Sequence, residues 1–229
     1  MPIATVKVPA QMEPVFLKAQ EYVAKYFSER LEDPSKGTII IGGERYILVR
    51  AASMSVQFFE FIKSLYPGLD EDESTKAAGS VLFDISHAVG RADAQAFHKT
   101  MHVEDPISKL STGPVHFAYT GWASVDIFPE SRPTQDNDYY LIYDHARSFE
   151  SDSWVSLNKK SSACVCFMNS GYSSGWCEVS FGVGLTTREI LCRAKGDPFC
   201  RFIMAPPDRI EGHVRDYREK HPELFAARK

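Results

Sequence analysis

Five cysteines, Cys164, Cys166, Cys177, Cys192 and Cys200, crowd into 37 residues, and none lies in the first 163. The stretch Cys192-Arg193-Ala194-Lys195-Gly196-Asp197-Pro198-Phe199-Cys200 reads as a tight hairpin with a thiol at each end, so the two sulfurs can meet. Glu189 stands three residues before Cys192, and Cys166 stands 23 residues before Glu189. Three thiolates and one carboxylate make a closed tetrahedral shell, and thiolate-rich ligation of that kind selects zinc. Spacing alone leaves a second reading open, that of small buried thiols near a turn. Cys164 and Cys177 have no partner at ligand spacing and read as buried.

Two other patterns invite chemistry and are set aside. Gly171-Tyr172-Ser173-Ser174-Gly175 fits G-x-S-x-G, the nucleophile elbow of hydrolases. That machinery needs a parallel sheet and an acid followed by a histidine downstream, whereas only His213 and His221 follow, both in a charged terminal segment. His98 and His102 are four apart on a helical stretch, but no glutamate lies between them to act as a base.

The elements that must position these residues follow from periodicity. From Glu13 the apolar positions Val15, Phe16, Ala19, Tyr22, Val23, Tyr26, Phe27 and Leu31 recur at helical spacing, with Pro14 suited to a first turn. Thr38–Ile41 and Tyr46–Val49, separated by Gly42-Gly43-Glu44-Arg45, read as a β-hairpin. Ser53 is placed to cap a helix through Phe58, Phe59, Ile62 and Leu65 that stops at Pro67-Gly68, and a longer helix from Glu73 to Met101 follows, with a break expected near Gly90. After Pro106 and Gly113-Pro114 the texture turns to strands, at Trp122–Phe128 and Tyr139–Ala146. Ser161–Asn169 is an apolar run, and the mixed segment after it to Gly184 could be helix. Thr187–Arg193 and Phe199–Met204 form a second hairpin, and Asp208–Leu224 is a charged segment with Ile210, Val214 and Tyr217 on one stripe. Helices followed by antiparallel-type strands predict an α+β domain with helices packed on an antiparallel sheet.

Composition narrows the function classes. At 229 residues, 44% hydrophobic and 24% charged, the chain is an ordinary globular one with a sizeable core. Its 26 Lys and Arg against 30 Asp and Glu give a net charge of −4 with no basic block, which argues against direct nucleic-acid binding. No apolar stretch approaches membrane-span length and the N-terminus lacks a signal-peptide core, so a cytoplasmic location is expected. Neither a Walker pattern nor G-x-G-x-x-G is present, which removes the usual seat of nucleotide chemistry.

Cys166-Phe167-Met168, Gly171 to Gly175, and Arg188-Glu189-Ile190-Leu191-Cys192-Arg193 through Gly196 to Cys200-Arg201-Phe202 together resemble the 4-vinyl-reductase type domain. Within it, the chain is most similar to the signal-reception domains of aromatic-sensing bacterial regulators of the XylR and DmpR kind. The resemblance spans about residues 35 to 207 and is strongest from His145 onward. It implies a structural zinc on Cys166, Glu189, Cys192 and Cys200, and a pocket of helices and antiparallel sheet around a small hydrophobic ligand. In the phenol sensors a His and a Trp hold the ligand hydroxyl. His116 matches that His with a one-residue gap, while His145 stands where the Trp would be. An imidazole there keeps a hydrogen-bonding group but changes its size. Aromatics beside these polar groups are the expected walls: Phe117, Tyr119, Trp122, Tyr143, Tyr172 and Trp176.

The resulting expectation is a ligand-sensing domain over residues 51–207 bearing a zinc-carrying C-terminal hairpin lobe. Residues 1–50 form a helix-and-hairpin extension whose apolar face suggests a homodimer, and residues 208–229 form a linker helix toward an output domain or partner. The domain is expected to bind a small hydrophobic, aromatic ligand without catalysing a reaction. A vinyl-reductase-like enzyme subunit acting on a tetrapyrrole and a dimerisation module are the alternatives.

Overall fold

The computed structural model describes residues 2–225; the last four residues of the expected linker lie outside the described residues. A five-stranded sheet of order β1-β5-β6-β8-β7 forms its centre. The strands are β1 (Val6–Lys7), β5 (Ala123–Ile127), β6 (Leu141–Ser148), β7 (Thr186–Leu191) and β8 (Cys200–Ala205). All neighbours run antiparallel except β1, which pairs in parallel with β5 through Val6 and Val125. The α+β class holds, with a mixed rather than purely antiparallel sheet. No described helix is long and apolar enough to cross a membrane.

Strand alternation gives the sheet two buried faces. Val125, Ile127, Leu141, Tyr143, His145, Phe202 and Met204 turn inward, toward helices α4 (Pro106–Thr120) and α6 (Phe167–Phe181). Ile142, Ile190, Ile203 and Ala205 turn outward, where Ile210 and Val214 of α7 (Ile210–Lys220) cover them. Arg201 on that outer face grips Asp144 through two hydrogen bonds of 2.7 Å and donates to the Tyr217 hydroxyl at 2.6 Å. The charged terminal segment is therefore docked on the sheet behind the inward-facing residues of β6.

The long helix α3 (Glu71–Met101) begins at a capping box made by Asp70 and Glu73 and runs unbroken through Gly90. Gly90 serves close packing instead of a break: a methyl there would sit 2.3 Å from the Tyr172 carbonyl oxygen of α6. Gly171 and Gly175 answer from α6, where added Cβ atoms would lie 2.2 Å from the Phe83 carbonyl oxygen and 2.3 Å from that of His87. The glycines of the G-x-S-x-G pattern are thus the seam of a helix pair, and Ser173 lies within a helix, not on an elbow.

The N-terminal segment departs from expectation. Helix α1 (Glu13–Ser28) buries Phe16, Ala19 and Val23 completely, packed on α4 of the same chain. The face that suggested a dimer is covered from within, and a boundary at residue 50 would cut through this packing. Leu31 belongs to β2 (Arg30–Asp33), which joins β3 (Thr38–Ile41) and β4 (Glu44–Tyr46) in a second, three-stranded sheet. The turn is only Gly42-Gly43, both at positive φ (57° and 86°), so Glu44 already pairs with Ile41 and the strand ends at Tyr46. Ile47 and Leu48 then lie exposed, at 77% and 74%. Helix α2 (Val56–Leu65) starts two residues later than expected, after Ser55; the Ser53 hydroxyl donates to Gln57 Oε1 at 3.1 Å and accepts from Arg50 at 3.4 Å instead of capping the helix. A short helix α5 (Phe149–Ser156) follows β6, unforeseen from the sequence.

Candidate ligand cavity and metal centre

Residues 106–120, read from sequence as a prelude to strands, are helix α4 despite Gly113-Pro114. Asp105 caps it, accepting from the Ser108 backbone N–H at 2.8 Å, and Pro106 occupies its first turn. Pro114 removes the N–H that would bond the Leu110 carbonyl, and on the same stretch of helix the Lys109 carbonyl accepts Trp176 Nε1 at 3.0 Å and faces His98 Nε2 at 3.3 Å. Gly113 makes room for that indole, since a Cβ there would lie 2.8 Å from Trp176 Nε1. The helix-breaking pair thereby seats an aromatic ring against α4.

A cavity with at most about 380 Å³ of empty space lies between α4, α6 and the inner face of the sheet. Leu110, Gly113, Pro114 and Phe117 line it from α4, and Tyr172, Ser173, Trp176 and Cys177 from α6. Val125, Ile127, Leu141, Tyr143, His145 and Met204 close it from the strands. Of the residues singled out from sequence, Phe117, Tyr143, His145, Tyr172 and Trp176 are therefore on the wall. Tyr119 is 38% exposed and stacks on Phe27, Trp122 packs between Phe117 and Phe149, and neither lines the cavity.

The two histidines part company. His116 is buried on α4, not on a strand, and both its nitrogens are engaged away from the cavity. Its Nδ1 lies 3.0 Å from the Tyr172 hydroxyl, which donates to Asp93 Oδ2 at 2.8 Å, and its Nε2 lies 3.5 Å from the Tyr46 hydroxyl. This network assigns the His116 proton to Nδ1. His145 lines the cavity on β6, and neither of its ring nitrogens has a hydrogen-bond partner. Burial pushes both imidazoles down to about 3, so both are neutral at pH 7.

For His116 this has a measurable consequence. An unfolded imidazole titrates near 6.5, so between about pH 6.5 and 3 the unfolded chain binds a proton that the folded one refuses. Stability is intact above that window and falls on acidification, by about 1.4 kcal/mol per pH unit per such group. His116→Gln should remove one proton's share of the slope between pH 6 and 4 in urea titrations; parallel slopes for parent and variant would contradict this.

The four residues of the proposed metal shell converge. One donor atom from each of Cys166, Glu189, Cys192 and Cys200 can be chosen so that all lie within 4.8 Å of one another. Cys200 sits on β8 directly across from His145, and Cys192 follows β7. A register shift between Glu189 and Leu191 marks a bulge that re-aims this end of β7. Cys166 precedes α6, and its backbone N–H donates to Glu189 Oε2 at 2.8 Å. The other carboxylate oxygen, Oε1, is buried and unpaired. Thiol donation from Cys166 and Cys192, helped by the Arg193 backbone N–H at 3.4 Å, pulls the Cys200 thiol down, while burial pushes Cys166, Cys192 and Glu189 up. An orphaned buried carboxylate oxygen amid three sulfurs is the donor set a tetrahedral cation would satisfy. Cys164 is half-buried outside this group, and Cys177, read as a spare, lines the cavity.

The wall residues missed from sequence, Leu110, Gly113, Pro114, Ser173 and Cys177 among them, share helix faces with those foreseen. Leu110, Gly113, Pro114 and Phe117 follow i, i+3, i+4, i+7 spacing, and Tyr172, Ser173, Trp176 and Cys177 follow i, i+1, i+4, i+5. Each set is one helix face, legible only once its segment is taken as helix.

With this geometry in view, the chain can be set beside known proteins. A family profile described as "Activator of aromatic catabolism" matches residues 27–129, the part preceding the cysteine cluster. Among solved structures, the phenol-responsive sensory domain of the transcription activator PoxR, determined with phenol, superposes with a TM-score of 0.71 at 20% identity, over 96% of this chain and 100% of that one. A search of the curated proteins finds no match.

Proposed function

We propose, on the premise that the chain is an XylR-type sensory domain in sequence profile and fold, that it binds a small neutral aromatic molecule and passes the signal to a transcription-regulating output. The observation that carries this reading is the cavity itself: aromatic and aliphatic walls from two helices and one sheet face, with a few polar groups turned into it. Its upper bound of about 380 Å³ leaves no room for a tetrapyrrole macrocycle, which speaks against the vinyl-reductase alternative. The role is binding rather than catalysis, and the setting is the cytoplasm. Zinc is the cation that the Cys166, Glu189, Cys192 and Cys200 shell would hold, as a closed structural site with no position left for substrate. It would tie β7, β8 and the start of α6 together beside the cavity. Helix α7, docked behind β6 through Arg201 and Tyr217, is the natural exit toward an output domain.

A thermal-shift series with phenol, toluene and larger hydrophobic metabolites tests the ligand class. A single-ring ligand at 100 times its dissociation constant should stabilise the fold by about 2.7 kcal/mol. Stabilisation by porphyrins alone would instead favour the enzyme reading.

The chain is further proposed to self-associate. With the α1 face covered, the exposed Ile47 and Leu48 after β4 are the surface that favours it. Deleting residues 1–50 would strip β1 from the sheet and α1 from α4, so point changes are the cleaner probe. Ile47→Lys with Leu48→Lys should convert dimer to monomer in light scattering; a dimer unaffected by both would remove this surface from the interface.

A further inference from the structure

We infer that Ser148, Glu150 and Ser151, at the junction of β6 and α5, form a second layer around the metal shell: the two hydroxyls donate to the sulfurs of Cys166 and Cys200, and the Glu150 carboxyl group frees Cys166 for the metal. The inference rests on the metal-binding reading above and adds the groups that orient its ligands. All three side chains are fully buried. A helix leaves its first N–H groups without intrahelical partners, and the N-cap side chain ordinarily accepts from one of them. Cys166 is the N-cap residue of α6, yet its side chain makes no such bond. Glu150 takes that place from another element, accepting from the Met168 N–H at 2.9 Å through Oε1 and from the Asn169 N–H at 2.8 Å through Oε2. The Cys166 sulfur is thereby left to face Glu189, Cys192 and Cys200.

The Ser148 hydroxyl lies 3.4 Å from Cys166 Sγ, and distance alone leaves the donor open. Asn169 decides the direction. Its side-chain Nδ2 donates to the Ser148 oxygen at 2.7 Å, so the hydroxyl proton is free to point at the sulfur. A metal-binding cysteine is a thiolate with no proton to give, which leaves the hydroxyl as the donor. Ser151 has no hydrogen bond to an oxygen or nitrogen among the described residues, and the group its hydroxyl addresses is the Cys200 sulfur. Partners of this kind fix a ligand's orientation and donor strength, and losing one costs roughly 10- to 100-fold in metal affinity. A hydroxyl that donates to a thiolate also draws electron density from it, so cobalt(II) in the site reports the loss as sulfur-to-metal charge transfer at longer wavelength.

Zinc affinity by chelator competition, read beside the cobalt(II) absorption spectrum, tests this on the parent, Ser148→Ala, Ser151→Ala, Ser148→Thr and Glu150→Gln. Each alanine should lower zinc affinity by roughly tenfold or more and move the cobalt charge-transfer band to longer wavelength. Ser148→Thr keeps the hydroxyl and should keep the parent's affinity and spectrum. Glu150→Gln can accept from only one of the two N–H groups and should weaken zinc as well. Each alanine removes a single oxygen, and Ser151→Ala carries the test if Ser148→Ala fails to fold. Alanine variants that hold zinc as tightly as the parent and keep its cobalt spectrum overturn the inference while leaving the metal site standing. A parent that takes up neither zinc nor cobalt overturns the metal reading itself.

Discussion

Cys200→Ser is expected to give protein that is insoluble or unfolded and free of zinc, and elemental analysis of the parent is expected to find one zinc per chain. Cys200 anchors β8 at the point where β6, β7 and the start of α6 meet, and its sulfur lies 3.8 Å from that of Cys166. Without a cation the cluster leaves thiols and a carboxylate crowded in the interior, with Glu189 Oε1 unpaired. Structural zinc supplies apparent binding free energy on the order of 10 kcal/mol in small modules, comparable to the whole stability of a domain. Cys192→Ser should behave alike, whereas Cys164→Ser should keep both metal and fold. Carefully purified parent protein without stoichiometric metal would refute the assignment.

The second large effect is expected at the α3–α6 seam. In Gly171→Ala the new methyl would lie 2.2 Å from the Phe83 carbonyl oxygen and 2.3 Å from Ser86 Oγ. In Gly90→Ala it would meet the backbone of Tyr172. Backbone cannot swing aside as a flexible side chain can, so the helices must separate, and a loss of about 3 kcal/mol or more is expected from overpacking. Because Tyr172, Ser173, Trp176 and Cys177 ride on α6, ligand affinity should fall as well. Gly212→Ala is the control: it lies on α7 with nothing nearer than Arg215 at 4.0 Å, so it should be neutral or stabilise by up to about 1 kcal/mol. Urea midpoints of the three variants decide the matter, and equal stabilities would show that α3 and α6 are not held at this distance.

The cluster of Cys166, Glu189, Cys192 and Cys200 could be read from sequence because its core is local: Cys192 and Cys200 flank one turn, and Glu189 lies three residues before Cys192 on β7. The cavity was half-legible. The family resemblance brought out His145, and its place beside polar groups brought out Tyr143, but Gly113-Pro114 disguised α4, and with it the facts that His116 is helical and that Leu110 and Pro114 are wall residues. What holds the helix is tertiary, since Trp176 from α6 fills the space left by Gly113 and donates to the Lys109 carbonyl. The covered face of α1 was hidden for the same reason: an amphipathic stripe shows that something packs on it, not which surface does. Strand β1, two residues long, has no period to detect.

The most direct test of the account is a crystal structure of the chain grown with phenol. The account predicts one phenol between α4, α6 and the sheet, its ring bounded by Phe117, Tyr172 and Trp176 and its oxygen within hydrogen-bond distance of His145, with His116 still joined to Tyr172. Phenol bound instead on His116, or bound only outside this cavity, would contradict it.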